Sequence, residues 1–184
     1  MATIGDTRIA VDGAEDAEAG SLLLWILVWS ELAVFGALLV AFLVMTVMDA
    51  VGTGVLRSHL HPGLAGLNTV LLVVSGWQAA LAVRRGDGPL RVPLATAAFF
   101  GLAFVVVKAI EYAVEIRAGV GGAGALAELY FLITGFHLLH VLFGAIVLLV
   151  VAWHPSRGNV VMIATLWHAI DLVWLVMFPI IYLS

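Results

Sequence analysis

The sequence predicts an all-α protein, a polytopic membrane helix bundle of five transmembrane helices with its N-terminus in the cytoplasm. Of its 184 residues, 64% are hydrophobic and only 11% are charged. The apolar residues collect in near-unbroken runs longer than the roughly 20 residues that cross the hydrocarbon of a bilayer. Between the runs lie short segments rich in Gly, Pro and charge, which stop helices. No polar stretch is long enough for a soluble domain, so the chain divides into an acidic polar tail, residues 1–20, and a transmembrane domain, residues 21–184. The net charge of −4 comes mostly from that tail and argues against nucleic acid as a partner. There are no cysteines, which excludes disulfides, thiolate metal sites and cysteine nucleophiles in this chain.

The first helix is expected at about 21–48. It follows an acidic leader (Asp6, Asp12, Glu15, Asp16, Glu18) where a secretory signal is basic, and its apolar run is too long for a signal core, so it is read as a retained span. Gly52, Gly54, His59, His61 and Pro62 mark a loop after it. The second helix, 64–83, stops at Arg84-Arg85-Gly86-Asp87-Gly88-Pro89. The third, 93–117, accommodates Pro93 in its first turn and ends before Gly119, Gly121, Gly122 and Gly124. The fourth, 125–152, ends at His154-Pro155-Ser156-Arg157-Gly158, and the fifth, 159–183, carries Pro179 near its far end. Arg8, Arg84, Arg85, Arg91 and Arg157 fall on one side of the membrane and only Arg57 and Arg117 on the other, which places the N-terminus inside.

Seven ionisable residues interrupt the apolar runs: Glu31, Lys108, Glu111, His137, His140, His168 and Asp171. A charge at membrane depth costs at least about 2.5 kcal/mol, so each needs a partner, a cavity or another subunit. Counting inward at 1.5 Å per residue puts all but Glu111 in a slab roughly 9 Å thick, with Glu111 a turn further out. At 100° per residue, Lys108, Glu111, Tyr112 and Glu115 share one stripe of the third helix. Tyr130, Thr134, His137 and His140 share one on the fourth, and His168, Asp171 and Tyr182 one on the fifth. On the first helix, Ser30, Ala33, Ala37 and Ala41 form a small-residue stripe expected to be its packing face. Glu31 points away from it among Leu24, Phe35, Leu38 and Phe42, as a carboxyl protonated against lipid or met by a neighbouring subunit.

Lys108 and Glu111, three apart, are spaced for a local ion pair. Asn68, Thr134 and His137 suit interhelical hydrogen bonding, and His137, His140, His168 and Asp171 are expected to lock the bundle. The sharper alternative is a metal or haem site built from the His137–His140 and His168–Asp171 pairs with Glu31 as a further ligand. A second alternative is an independent proton or ion carrier using the slab, against which stands the lack of an inverted repeat. There is no paired nucleophile and base and no Gly-rich phosphate loop, so no catalytic residue is assigned.

A family resemblance runs over about residues 25–183. Trp29-Ser30-Glu31 with Phe35, Asn68-Thr69-Val70-Leu71-Leu72, Glu111-Tyr112, Thr134-Gly135-Phe136-His137-Leu138-Leu139-His140-Val141 and Trp167-His168-Ala169-Ile170-Asp171-Leu172-Val173-Trp174 resemble, in order, the signatures of subunit III of the haem-copper oxidases. Family members of full length have seven helices, and this chain is similar to the last five. Lys108, where the cytochrome oxidase form usually has glutamine, and the ending Met177-Phe178-Pro179-Ile180-Ile181-Tyr182 resemble the short NorE-type branch associated with nitric oxide reductases. The resemblance implies a non-catalytic accessory subunit of a respiratory terminal oxidase or nitric oxide reductase, in the bacterial plasma membrane, that stabilises a large catalytic subunit and helps proton uptake. It implies haem, with copper or non-haem iron, in that partner subunit, no cofactor or metal held by this chain, and bound phospholipid. It also implies that Glu31 matches the family's intramembrane carboxyl that apolar carbodiimides modify.

Overall fold

The computed structural model describes residues 4–85, 89–122 and 124–183, so residues 86–88 of the expected break lie outside the described residues, as do the acidic side chains of the tail. Five helices are long and apolar enough to cross a membrane: Leu22–Met48, Pro62–Arg84, Arg91–Arg117, Ala125–Trp153 and Arg157–Leu183. Their bounds fall within three residues of those expected. The first span is part of α1 (Ile4–Met48), whose helix reaches back through the segment expected as a polar tail.

The expected loop after it is instead a short helix, α2 (Ala50–His59). Asp49 caps it, its Oδ1 accepting the Gly52 N–H at 2.8 Å, and Arg57 and His59 occupy its last turn, where cations complement the helix dipole. The glycines at 52 and 54 read as breakers, yet the cap and the buried Leu56 hold the turn-rich segment helical.

The remaining spans are α3 (Pro62–Arg84), α4 (Arg91–Arg117), α5 (Ala125–Trp153) and α6 (Arg157–Phe178), the last continuing as a π-helical turn at Pro179–Leu183. A proline cannot donate to the helix ladder, and the change of winding falls at Pro179. Helices α3, α4, α5 and α6 pack as a ring in which α3 meets α4 and α6, and α5 meets α4 and α6. Helix α1 lies outside the ring, across α5 and α6.

Trp167 keys the ring together. A Cβ at Gly101 of α4 would sit 2.7 Å from its indole, and one at Gly144 of α5 would sit 2.8 Å from it, so both glycines make room for the ring. Its N–H donates to Ser75 Oγ of α3 at 3.0 Å, and Ser75 in turn donates to the Ala97 carbonyl of α4 at 2.6 Å. One turn pair further along, the Trp174 N–H donates to Thr69 Oγ1 at 3.0 Å. In a bilayer the surrounding lipid is as apolar as the core, so this close fit and these bonds, rather than removal from water, hold the helices together.

Candidate functional site

The first polar site lies where α1 meets the ring. Val28, Phe35, Leu39 and Phe42 are the buried side chains of the first span, whereas Ser30, Ala33, Ala37 and Ala41 are exposed. The packing face is therefore the bulky one that carries Glu31, and the small-residue stripe points outward. Small residues mark an interface where two backbones approach closely, but α1 leans over a groove between two helices and fills it with large side chains. Phe35 wedges between Phe136 at 5.3 Å, His140 at 5.6 Å and His137 at 6.1 Å, measured between ring centres.

One turn before Phe35, Glu31 Oε2 lies 3.1 Å from His140 Nε2. Glu31 is thus not a lone carboxyl, because its partner comes from α5 within the same chain. His140 Nδ1 lies 2.8 Å from the Phe136 carbonyl, which only an N–H can satisfy, so that nitrogen is the donor. Nε2 then faces the carboxyl in one of two complementary arrangements, a carboxyl O–H on the imidazole lone pair or an imidazolium N–H on a carboxylate. The contact lacks the alignment of a full hydrogen bond, and both side chains keep part of their surface open, 31% for Glu31 and 24% for His140.

The pair borders a cavity of about 270 Å³ between α1, α5 and α6, whose wall is carbon apart from Glu31, His137 and His140. His137 is buried there with no hydrogen-bond partner for either ring nitrogen among the described residues, held by rings instead: Trp174 stacks on it at 5.3 Å and Phe104 meets it edge-on at 5.8 Å.

A second site occupies the end of the ring next to the 118–124 connection. Lys108 Nζ donates to Glu111 Oε2 at 3.0 Å, to Tyr130 Oη at 3.0 Å and to Tyr182 Oη at 2.5 Å. Tyr182 donates to Glu111 Oε1 at 2.9 Å, and Tyr130 donates to Glu115, at 2.9 Å from Oε1. Thr134 sits beside this group, accepting from Tyr112 Oη at 2.6 Å and donating to the Tyr130 carbonyl at 2.7 Å. Lys108, Glu111 and Glu115 are all fully buried. Trp174 links the two sites, with His137 on its ring and Lys108 Nζ 5.9 Å from its centre.

Other expected members fall elsewhere. His168 is exposed on the outer face of α6 and, among the described residues, bonds its own helix, Nδ1 to the Ala164 carbonyl at 2.7 Å, because Trp167, not His168, turns inward. Asp171 is buried against α3, its Oδ2 in the space a Cβ of Gly76 would need, and Asn68 is buried with no hydrogen-bond partner among the described residues. The residues proposed as a metal set are therefore divided over three places, and among the described residues no three His, Asp or Glu side chains come together as ligands. The sequence places Glu115, Tyr130 and Tyr182 on polar stripes without marking them as site residues. Their signal is the i, i+3, i+7 spacing of Lys108, Glu111 and Glu115, which puts a second carboxylate on the lysine's face.

Residues 17–184 match the family described as cytochrome c oxidase subunit III. The chain is 30% identical over 171 residues to cytochrome c oxidase subunit 3 of Synechocystis sp., covering 84% of this chain and 71% of that protein. It is 29% identical to cytochrome c oxidase subunit 3 of Thermostichus vulcanus over 96% of this chain and 94% of the relative. It is 26% identical to the heme-copper oxidase subunit I+III of Aeropyrum pernix over 87% of this chain and 22% of that longer protein. A match that runs over every transmembrane span places this chain in the cytochrome c oxidase subunit III family.

Proposed function

We propose that this chain is the non-catalytic accessory subunit of a respiratory haem-copper terminal oxidase in the plasma membrane, seated on a large haem-bearing subunit that it stabilises and helps to take up protons. The observation that carries this reading is the similarity to a protein named as subunits I and III in one chain, since fusion keeps together parts that work side by side. The bundle agrees with it. Lys108 and Glu111 pair within the ring and Glu31 meets His140, and in this reading the haem, with copper or non-haem iron, is held by the partner.

Within that role the Glu31–His140 pair is the proton-responsive element, and the apolar cavity beside it takes a phospholipid acyl chain. The cavity is bounded by carbon and borders the face of the bundle that α1 only partly covers. A nitric oxide reductase complex is the narrower alternative, and Lys108, in place of the glutamine usual in the oxidase form, is the residue that favours it.

Affinity purification of the tagged chain from its native membrane in mild detergent tests the proposal. Co-purification of a haem-containing large subunit is expected, and its oxygen- or nitric oxide-reducing activity separates the two complexes. A chain that purifies without any haem protein from membranes where it is expressed at its natural level would overturn the assignment.

A further inference from the structure

The lysine cluster contains one cation and two carboxyl groups, and its hydrogen bonds reveal which groups are charged. Lys108 Nζ faces three acceptors, Glu111 Oε2, Tyr130 Oη and Tyr182 Oη. Each tyrosine hydrogen is already committed elsewhere, Tyr182 to Glu111 and Tyr130 to Glu115, so Nζ supplies all three hydrogens and is an ammonium. Glu111 accepts on both oxygens, as a carboxylate does, and balances it. Glu115 is left over. It is fully buried, and its two oxygens share the single hydrogen of Tyr130.

The other groups that bear on Glu115 do not help it. On its own helix these are Lys108, already balanced, and Glu111, of like charge. Across α3 the only charged residue is Arg84 at the opposite end of the ring, the turn at Val120–Gly122 has none, and Glu128 on α5 is exposed and of the wrong sign. Holding an unbalanced carboxylate out of water is more costly than binding a proton.

We propose that this cluster is a proton-binding site: it holds one exchangeable proton, shared between Glu115 and Glu111 through the two tyrosine hydroxyls. The oxygens form an unbroken line, Glu115 to Tyr130 at 2.9 Å, Tyr130 to Tyr182 at 3.0 Å and Tyr182 to Glu111 at 2.9 Å. When Glu115 is protonated it donates to Tyr130 Oη, and the Tyr130 hydrogen turns from Glu115 to Tyr182 Oη. The carboxyl then passes its proton to Tyr130, Tyr130 passes its own to Tyr182, and Tyr182 passes its own to Glu111. Each tyrosine keeps one hydrogen with its direction reversed, and one proton has moved from one carboxyl to the other. The ammonium of Lys108 touches both hydroxyls and stabilises negative charge wherever it falls along the line. Glu115 lies two residues before the end of α4, so the proton enters and leaves at the membrane surface that carries the 118–124 connection.

Infrared spectroscopy of the full chain in lipid nanodiscs, in H2O and in D2O at neutral pH, tests this against a Glu31→Gln, Asp171→Asn background that removes the other intramembrane carboxyls, of α1 and α6. The parent is expected to show a protonated-carboxyl stretch that shifts in D2O and disappears in both Glu115→Gln and Glu111→Gln, because either change leaves one carboxylate opposite one lysine. Lys108→Met is expected to raise the same signal by one further carboxyl. An unchanged signal in Glu115→Gln overturns the proposal, and so does a Lys108→Met protein whose signal does not rise. Glu115→Gln and Glu111→Gln are nearly isosteric, so the test stands on them if Lys108→Met does not fold.

Discussion

Glu31 and His168 make opposite predictions, although both are ionisable groups on apolar helices. Glu31→Gln is expected to leave the bundle folded and to abolish covalent labelling by a hydrophobic carbodiimide, since the carboxyl lies at a cavity open to apolar reagents; persistent labelling identifies another reactive carboxyl. His168→Ala is expected to change detergent stability by less than about 0.5 kcal/mol in a thermal or denaturant titration, because the ring is exposed and, among the described residues, bonds its own helix. The residue types were legible in the sequence, and so was the Lys108–Glu111 pair, whose partners are one turn apart. What the sequence did not carry was the Glu31–His140 contact, which depends on how α1 rotates over α5. A helical wheel fixes the angle between residues of one helix and says nothing about which angle its neighbour meets.

At the scale of the element, the two glycines against Trp167 carry the clearest consequence. Gly101→Ala and Gly144→Ala each place a Cβ within 3 Å of the fully buried indole, so something must shift, and each is expected to cost about 1–3 kcal/mol of stability by thermal unfolding in detergent. Combining Gly101→Ala with Trp167→Phe is expected to recover part of that loss, since the smaller ring vacates the space. Asp49→Ala, which removes the cap of α2, is expected to cost about 0.5–2 kcal/mol and to be read as fraying of Ala50–His59 in hydrogen exchange. The long spans were legible because a membrane imposes length and composition together. The short α2 was not, because its glycines look like breakers and its existence rests on one capping carboxylate. The exposed alanine stripe of α1 went the other way: it resembles a packing motif, yet large side chains on the adjacent face fit the groove better.

For the whole molecule, the architecture separates a four-helix ring from an added first span. Removing residues 1–48 is expected to leave a folded ring, detectable as retained protection of the Trp167 and Trp174 indoles from collisional quenching, while exposing Phe136 and His140 to lipid. Loss of the ring along with α1 would show that the two are one cooperative unit. The order of synthesis adds a further consequence. Glu31 leaves the ribosome three spans before His140, its partner on α5, and α1 touches α5 and α6 but gains no extensive contact with the spans made in between. During assembly the first span therefore waits in the bilayer with its carboxyl unmatched until the fourth span arrives. Insertion of this protein thus depends on α1 being apolar enough to tolerate that delay, and any factor that shelters a nascent helix would find its client there.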